Sequence, residues 1–160
     1  MGEQVTVRRA TAADRQSVGR LWLEMMEFHR ECDPHFFQLK PDALEIWLRH
    51  LDECLIDEEQ IVLVAQAEDE LVGFAMGRPN EDPPPFATAP HGFVTNLSVS
   101  ERWRGKGVGR QLYAALAREL QARGLQEIRL SASALNPVSN AFWRRLGFEP
   151  YVVQMRKAAE

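Results

Sequence analysis

Residues 104–110, RGKGVGR, place three glycines and three cationic side chains within seven positions of a chain whose formal net charge is −4. The chemistry such a stretch offers lies in its backbone. A helix opening at Gly107 leaves its first amide N–H groups without intrahelical acceptors, and the helix dipole adds roughly half a positive charge at that end. Glycine lets the oxygens of a bulky anion approach those amides, and Arg104, Lys106 and Arg110 add charge around them. Spacing narrows the anion. A nucleoside-triphosphate loop needs G-x-x-x-x-G-K-[ST], and neither Gly-Lys-Ser nor Gly-Lys-Thr occurs. A dinucleotide loop needs a third glycine where Arg110 stands. The plain alternative, a tight turn with solvated charges, stays open for the loop taken alone.

Proton-transfer groups are sparser. His29, Glu27 and His91 are the candidate bases, with His35 beside them, and each histidine can equally be a packing or surface residue. The segment FVTNLSV, residues 93–99, carries no carboxylate. His29, Cys32 and His35 recur at three-residue intervals beside Asp33, a spacing that invites a zinc site. Pro34 breaks the helix that would project them together and no second cysteine pair exists, so no metal is expected. Cys32 reads more simply as a buried helix residue.

These groups need elements to position them. VTVRRA alternates like a strand, and Thr11 with Asp14 forms a capping-box-like start for a helix. Val18, Leu21, Trp22, Met25, Phe28 and Cys32 then fall on one helical stripe. After a connector punctuated by Pro34 and Pro41, Leu44, Trp47, Leu48, Leu51 and Leu55 mark a second helix. IVLVAQA is continuous and β-branched, as a strand covered on both faces would be, and pairs with LVGFAMG as a hairpin. RPNEDPPPFATAPHG predicts a proline-rich loop. FVTNLSV is the next strand, followed by the glycine loop and a helix ending at Gly124. IRLSASA predicts a strand. Asn136 and Pro137 begin a short helix closed by Gly147, and YVVQM predicts a last strand. The fold class is α/β: a single mixed, mostly antiparallel sheet with helices on both faces, and one domain over residues 1–160.

Length and a hydrophobic content of 45% suffice for a proper core. The acidic balance argues against a nucleic-acid partner. No apolar run approaches the roughly 18 to 20 residues of a membrane span, so no membrane partner is expected. Two well-separated cysteines and no apolar leader-like segment fit a cytoplasmic protein.

In this setting R-x-x-G-x-G at residues 104–109, after the strand end Leu97-Ser98-Val99 and opening a helix, resembles the acetyl-CoA signature of the GNAT superfamily of N-acetyltransferases. NPVSNAFWRRLGF, residues 136–148, is similar to that family's second motif. The resemblance covers nearly the whole chain and implies the acyl-CoA N-acyltransferase fold with acetyl-CoA as cosubstrate. It implies that the amides of Arg104, Gly105, Lys106, Gly107, Val108, Gly109 and Arg110 bind the CoA pyrophosphate. Leu97 and Val99 would present main-chain groups to the pantetheine and thioester beside a bulge in their strand. Asn136 and Asn140 would lie along the cofactor arm, flanked by Phe142 and Trp143, although Asn136 serves equally as a plain helix cap. A homodimer is common among similar domains.

The implied activity is acetyl transfer to a primary amine of a small molecule or peptide by direct attack in a ternary complex. At pH 7 a lysine-like amine is free base in roughly one molecule per thousand, so a base or a desolvating pocket must help. Members of the family often protonate the departing thiolate with a tyrosine of the second motif. Here Trp143 takes that position, and an indole N–H is no general acid. Tyr113 and Tyr151 are the two tyrosines of the chain. This departure keeps a second reading open: a non-catalytic acyl-CoA-binding sensor or regulatory module. The large apolar side chains Trp22, Met25, Met26, Phe36, Phe37 and Trp47 belong mostly to the core. Any that enter the acceptor cleft would favour an amine with an apolar portion, with Glu24, Glu27 or Asp33 attracting its charge.

Overall fold

The computed structural model describes residues 4–159. Strand β1 (Val5–Arg9) leads through a 3-10 turn (Ala12–Asp14) into α1 (Arg15–Cys32), then α2 (Ala43–Ile56). Strands β2 (Ile61–Ala67), β3 (Glu70–Asn80) and β4 (His91–Val99) follow, then a 3-10 turn (Glu101–Trp103), α3 (Val108–Ala122), β5 (Ile128–Leu130) and α4 (Pro137–Arg145). The five strands form one sheet in the order β1-β2-β3-β4-β5. Every neighbouring pair is antiparallel except β4 and β5, which run parallel on either side of the α3 crossover.

The unbroken apolar run of β2 is explained by cover on both faces. Ile61, Leu63, Ala65 and Ala67 point into a core with Val108, Leu112, Leu116 and Leu120 of α3. Val62 and Val64 point the other way, into a core with Val18, Leu21, Trp22 and Met25 of α1 and Leu48, Leu51 and Cys54 of α2. Each fully buried leucine there contributes about 1.5–3 kcal/mol. Helices thus lie on both faces, as the unbroken apolar run predicts. The start of α1 is tied to the sheet: Arg8 donates to both carboxylate oxygens of Asp14 at 2.8 and 2.9 Å, and Asp14 reaches back to the Thr11 amide at 2.8 Å. That reach is half of the capping box expected there.

Three sequence expectations need correction. YVVQM forms no strand: residues 149–159 have no regular structure, and Tyr151, Val152, Val153 and Met155 are exposed. The adjacent edge strand β5 has three residues and gives an alternating segment little to pair with. Side chains anchor the tail instead, with the Arg129 guanidinium 5.5 Å from the Tyr151 ring and Arg156 on Asp33. IRLSASA is strand only over Ile128–Leu130, because the chain leaves β4 after Leu130. The proline loop is shorter than RPNEDPPPFATAPHG, since β3 continues through Arg78, Pro79 and Asn80. Pro79 is tolerated because β2 stops pairing at Gly77, so its missing N–H falls outside that ladder.

Candidate active site

The site is made by a strand that stops pairing. β4 and β5 are joined at Gly92↔Ile128, Phe93↔Arg129 and Val94↔Leu130, and no further. On the other side of β4, Met76 pairs with Asn96 and Gly77 with Val94, which leaves Thr95 as the extra residue of a β-bulge. From that point residues 131–133 diverge from β4, and a cleft of about 600 Å³ opens between them. Alternation of the antiparallel ladder sets what β4 shows to it. The Ser100 N–H donates to the Val72 carbonyl at 2.8 Å, so Ser98 and Asn96 turn their main-chain groups to β3, whereas Leu97 and Val99 turn theirs away. The Val99 carbonyl accordingly accepts from the Arg104 Nε–H at 3.2 Å, not from β3.

The glycine loop closes one end. Gly105 and Gly107 have φ of +74° and +84°, and Gly107 caps α3. The α3 ladder begins with the Gln111 N–H donating to the Gly107 carbonyl at 3.1 Å, so the amides of Val108, Gly109 and Arg110 precede the first intrahelical bond. Arg104 lies against the cleft wall with its guanidinium 4.8 Å from the centre of the Phe28 ring. Gly109 has a different reason to be glycine: an added Cβ would sit 3.1 Å from Phe142 Cε2. Its role is close packing of α3 on α4.

The other end is built by the last turns of α1 and the connector after it: Met25, Met26, Phe28, His29 and Phe37 line it with Ser131, Ser133 and Asn136. His29 is half-buried, stacked on Phe37 at 4.7 Å between centroids and 19° between planes. Burial pushes its pKa below the ordinary histidine value. Its Nδ1 lies 3.2 Å from Asn136 Nδ2, and Asn136 caps α4 by accepting the Ser139 N–H at 3.0 Å.

Of the sequence candidates, Leu97, Val99, Arg104, Gly105, Gly107, Val108, Gly109, Arg110, Asn136, Trp143 and His29 line this one cleft. Four others do not. Lys106 sits over the Trp103 ring at 4.6 Å, and Asn140 spends its amide on the Ser133 and Asn136 carbonyls at 2.9 Å each. Glu27 is on the solvent side of α1, paired with Arg30, which holds its carboxyl below the usual range. His91, 2% exposed at the start of β4, bonds through Nε2 with Asn80 at 3.2 Å, well before the bulge. The structure thus places Glu27 and His91 outside the residues that line the cleft. His35 is exposed outside the cleft.

The tyrosines stay out as well. Tyr113 packs edge-on against Trp143 and Phe148, with its hydroxyl pKa raised by burial, and Tyr151 lies in the exposed tail. Trp22 stacks on Trp47 in the core, and Phe36 is exposed. The three acids expected to attract an amine are engaged elsewhere: Glu24 accepts the Glu101 amide at 2.7 Å, Glu27 holds Arg30, and Asp33 takes both Arg156 donors at 2.9 and 3.0 Å. Sequence reasoning missed the stack of Phe37 on His29 and the His29–Asn136 contact. An i+8 separation across Pro34 and a separation of 107 residues carry no local signal.

Among the described residues no helix is long and apolar enough to cross a membrane. The acetyltransferase (GNAT) family model matches residues 22–148. The aminoglycoside N(6')-acetyltransferase type 1 of Stenotrophomonas maltophilia is 32% identical over 146 residues, covering 90% of this chain and 86% of that protein. A variant of the BH1408 protein of Bacillus halodurans superposes with a TM-score of 0.88 at 23% identity, over 97% of this chain and 99% of that one. The aminoglycoside N-acetyltransferase AAC(6')-Iy, solved in complex with CoA, superposes with a TM-score of 0.74 at 23% identity, over 99% and 98%.

Proposed function

This chain belongs to the acetyltransferase (GNAT) family, and on that premise we propose that it transfers an acetyl group to the primary amine of a small molecule or peptide carrying an apolar portion beside the amine. The carrying observation is the splay of β4 from β5, which joins a cationic glycine loop and an apolar, histidine-bearing wall in one cleft. Acetyl-CoA, the cosubstrate of the family, supplies an activated thioester that the amine attacks directly while both occupy the cleft.

The residues fit that ligand. The amides of Val108, Gly109 and Arg110, with Arg104 and Arg110, suit a pyrophosphate at the start of α3. Main-chain groups of Leu97 and Val99, facing the cleft, suit the pantetheine arm and provide fixed dipoles where the thioester oxygen gains charge. At the far end Met25, Met26 and Phe37 exclude water around the acceptor, which favours the neutral form of an amine. The neutral polar side chains of Ser131, Ser133 and Asn136 give it hydrogen-bonding partners.

Release of free thiol from acetyl-CoA across a panel of arylalkylamines, polyamines, aminoglycosides and peptides tests this reading. Turnover with amines bearing an apolar group supports it, and turnover confined to strongly polycationic amines contradicts the apolar part. The second reading, a non-catalytic acyl-CoA-binding module, is favoured by the two tyrosines lying outside the cleft. Binding of CoA with silence across the whole panel would establish it instead.

A further inference from the structure

His29 and Asn136 are brought together from opposite walls of the cleft, and the α4 cap dictates how they bond. Asn136 is 2% exposed, and its Oδ1 accepts the Ser139 N–H at 3.0 Å. That bond satisfies one of the amides left free at the start of a helix, and it fixes which way the side-chain amide points. The group facing His29 Nδ1 at 3.2 Å is therefore the NH2, which only donates. An acceptor is needed opposite it, so Nδ1 carries a lone pair and the ring proton sits on Nε2. Protonating Nδ1 would set donor against donor in a buried contact, and turning the amide over would strip Ser139 of its cap.

We propose that Asn136 is a positioning residue that fixes His29 as the neutral Nε2–H tautomer, so that His29 meets the cleft occupant as a hydrogen-bond donor and does not serve as the base.

The stack on Phe37 and the half-buried setting act in the same direction by disfavouring an imidazolium, with no charged neighbour contributing to the lowered pKa. Of the acids nearest to His29 along the chain, Glu27 is paired with Arg30, Glu31 is exposed to solvent, and Asp33 is paired with Arg156. A base would need Nε2 as an acceptor, which is the reverse of what the Asn136 contact imposes. The tautomer assignment stands on geometry alone; its catalytic meaning rests on the proposed acetyl transfer.

The test uses the full chain with 15N-labelled histidine and long-range 1H–15N correlation spectra, with the His29 signals assigned by their loss in His29→Gln. Wild type should show the Nε2–H pattern for His29 and titrate below the ordinary histidine value. Asn136→Asp keeps an acceptor for Ser139 N–H but faces Nδ1 with a carboxylate. It should switch His29 to Nδ1–H and raise its midpoint by about one pH unit or more, while thermal unfolding shows the cap intact. A wild-type Nδ1–H tautomer, or an unchanged tautomer in Asn136→Asp, overturns the proposal.

In the transfer assay His29→Gln, which keeps an N–H donor, should lower kcat about tenfold and leave the acidic limb of kcat/KM in place. Loss of that limb together with a hundredfold or greater fall would identify a base and overturn the proposal. If wild type transfers no acetyl group, the functional reading fails, and the spectra still decide the tautomer.

Discussion

Gly109 lies so close to Phe142 that a Cβ added to it would stand 3.1 Å from Cε2 and 3.2 Å from Cζ of the ring. The contact locks the first turn of α3 onto α4, two elements that flank the glycine-loop end of the cleft. Gly107, two residues earlier, has nothing within 4 Å of an added Cβ but requires φ of +84°. Two glycines of one motif are thus held by different physics, packing at one and backbone conformation at the other.

Gly109→Ala should therefore cost about 1–3 kcal/mol through overpacking and loosen α4 against the loop. Gly107→Ala should cost about 1–2 kcal/mol through its left-handed backbone, without disturbing Phe142. Thermal unfolding monitored by near-UV circular dichroism distinguishes the two, since the aromatic signal of Phe142 and Trp143 should change in the first and persist in the second.

The acceptor wall should be separable from the cofactor loop. Phe37→Ala removes a ring that lines the far end and stacks on His29, and should raise KM for the amine about tenfold while leaving CoA affinity within about twofold, the loss of one apolar contact surface. Steady-state kinetics with varied amine, beside calorimetry with CoA, checks both halves of the statement.

The Arg8–Asp14 pair should set part of the acid sensitivity. The Arg8 hydrogen bonds hold the Asp14 carboxyl below its ordinary value of 3.8, against the opposing effect of burial. The folded state then binds that proton less readily than the unfolded chain, so the contribution is complete above the ordinary carboxylate value. It is lost as pH falls through the lowered one. Urea midpoints of wild type should exceed those of Asp14→Asn near neutrality and converge with them in strong acid.

Arg156 should act as the latch of the tail. It is half-exposed, while Asp33 is buried and receives two of its donors, so Arg156→Ala leaves a buried carboxylate without its counter-charge. Limited proteolysis should cut within residues 150–159 faster in that variant, with the cleft-dependent activity falling less than the stability of the tail.

The elements were readable wherever a local pattern and a tertiary partner agree. The stripe from Val18 to Met25 became the buried face of α1, and Asn136-Pro137 marked the start of α4 to the residue. YVVQM has the alternation of a strand, but alternation cannot supply a neighbour, and β5 is too short to be one. The glycine-loop end of the cleft was legible because its free amides belong to consecutive residues at a helix start. The far end was not: Glu27 and His29 are two positions apart on one helix, which puts them on different sides of it, and only the packing of Phe37 and Asn136 shows which side is the cleft. His91 has the residue type for proton transfer, but its place in the β4 register assigns it to Asn80.

The most direct test is calorimetric titration of wild type and Gly107→Glu with acetyl-CoA, with thermal unfolding establishing that the variant folds. A glutamate at this position sends its side chain and negative charge into the open space before the first amides of α3. The account predicts clear heat of binding for wild type and a loss of about a hundredfold or more in affinity for the folded variant. Equal affinity of the two proteins would contradict it.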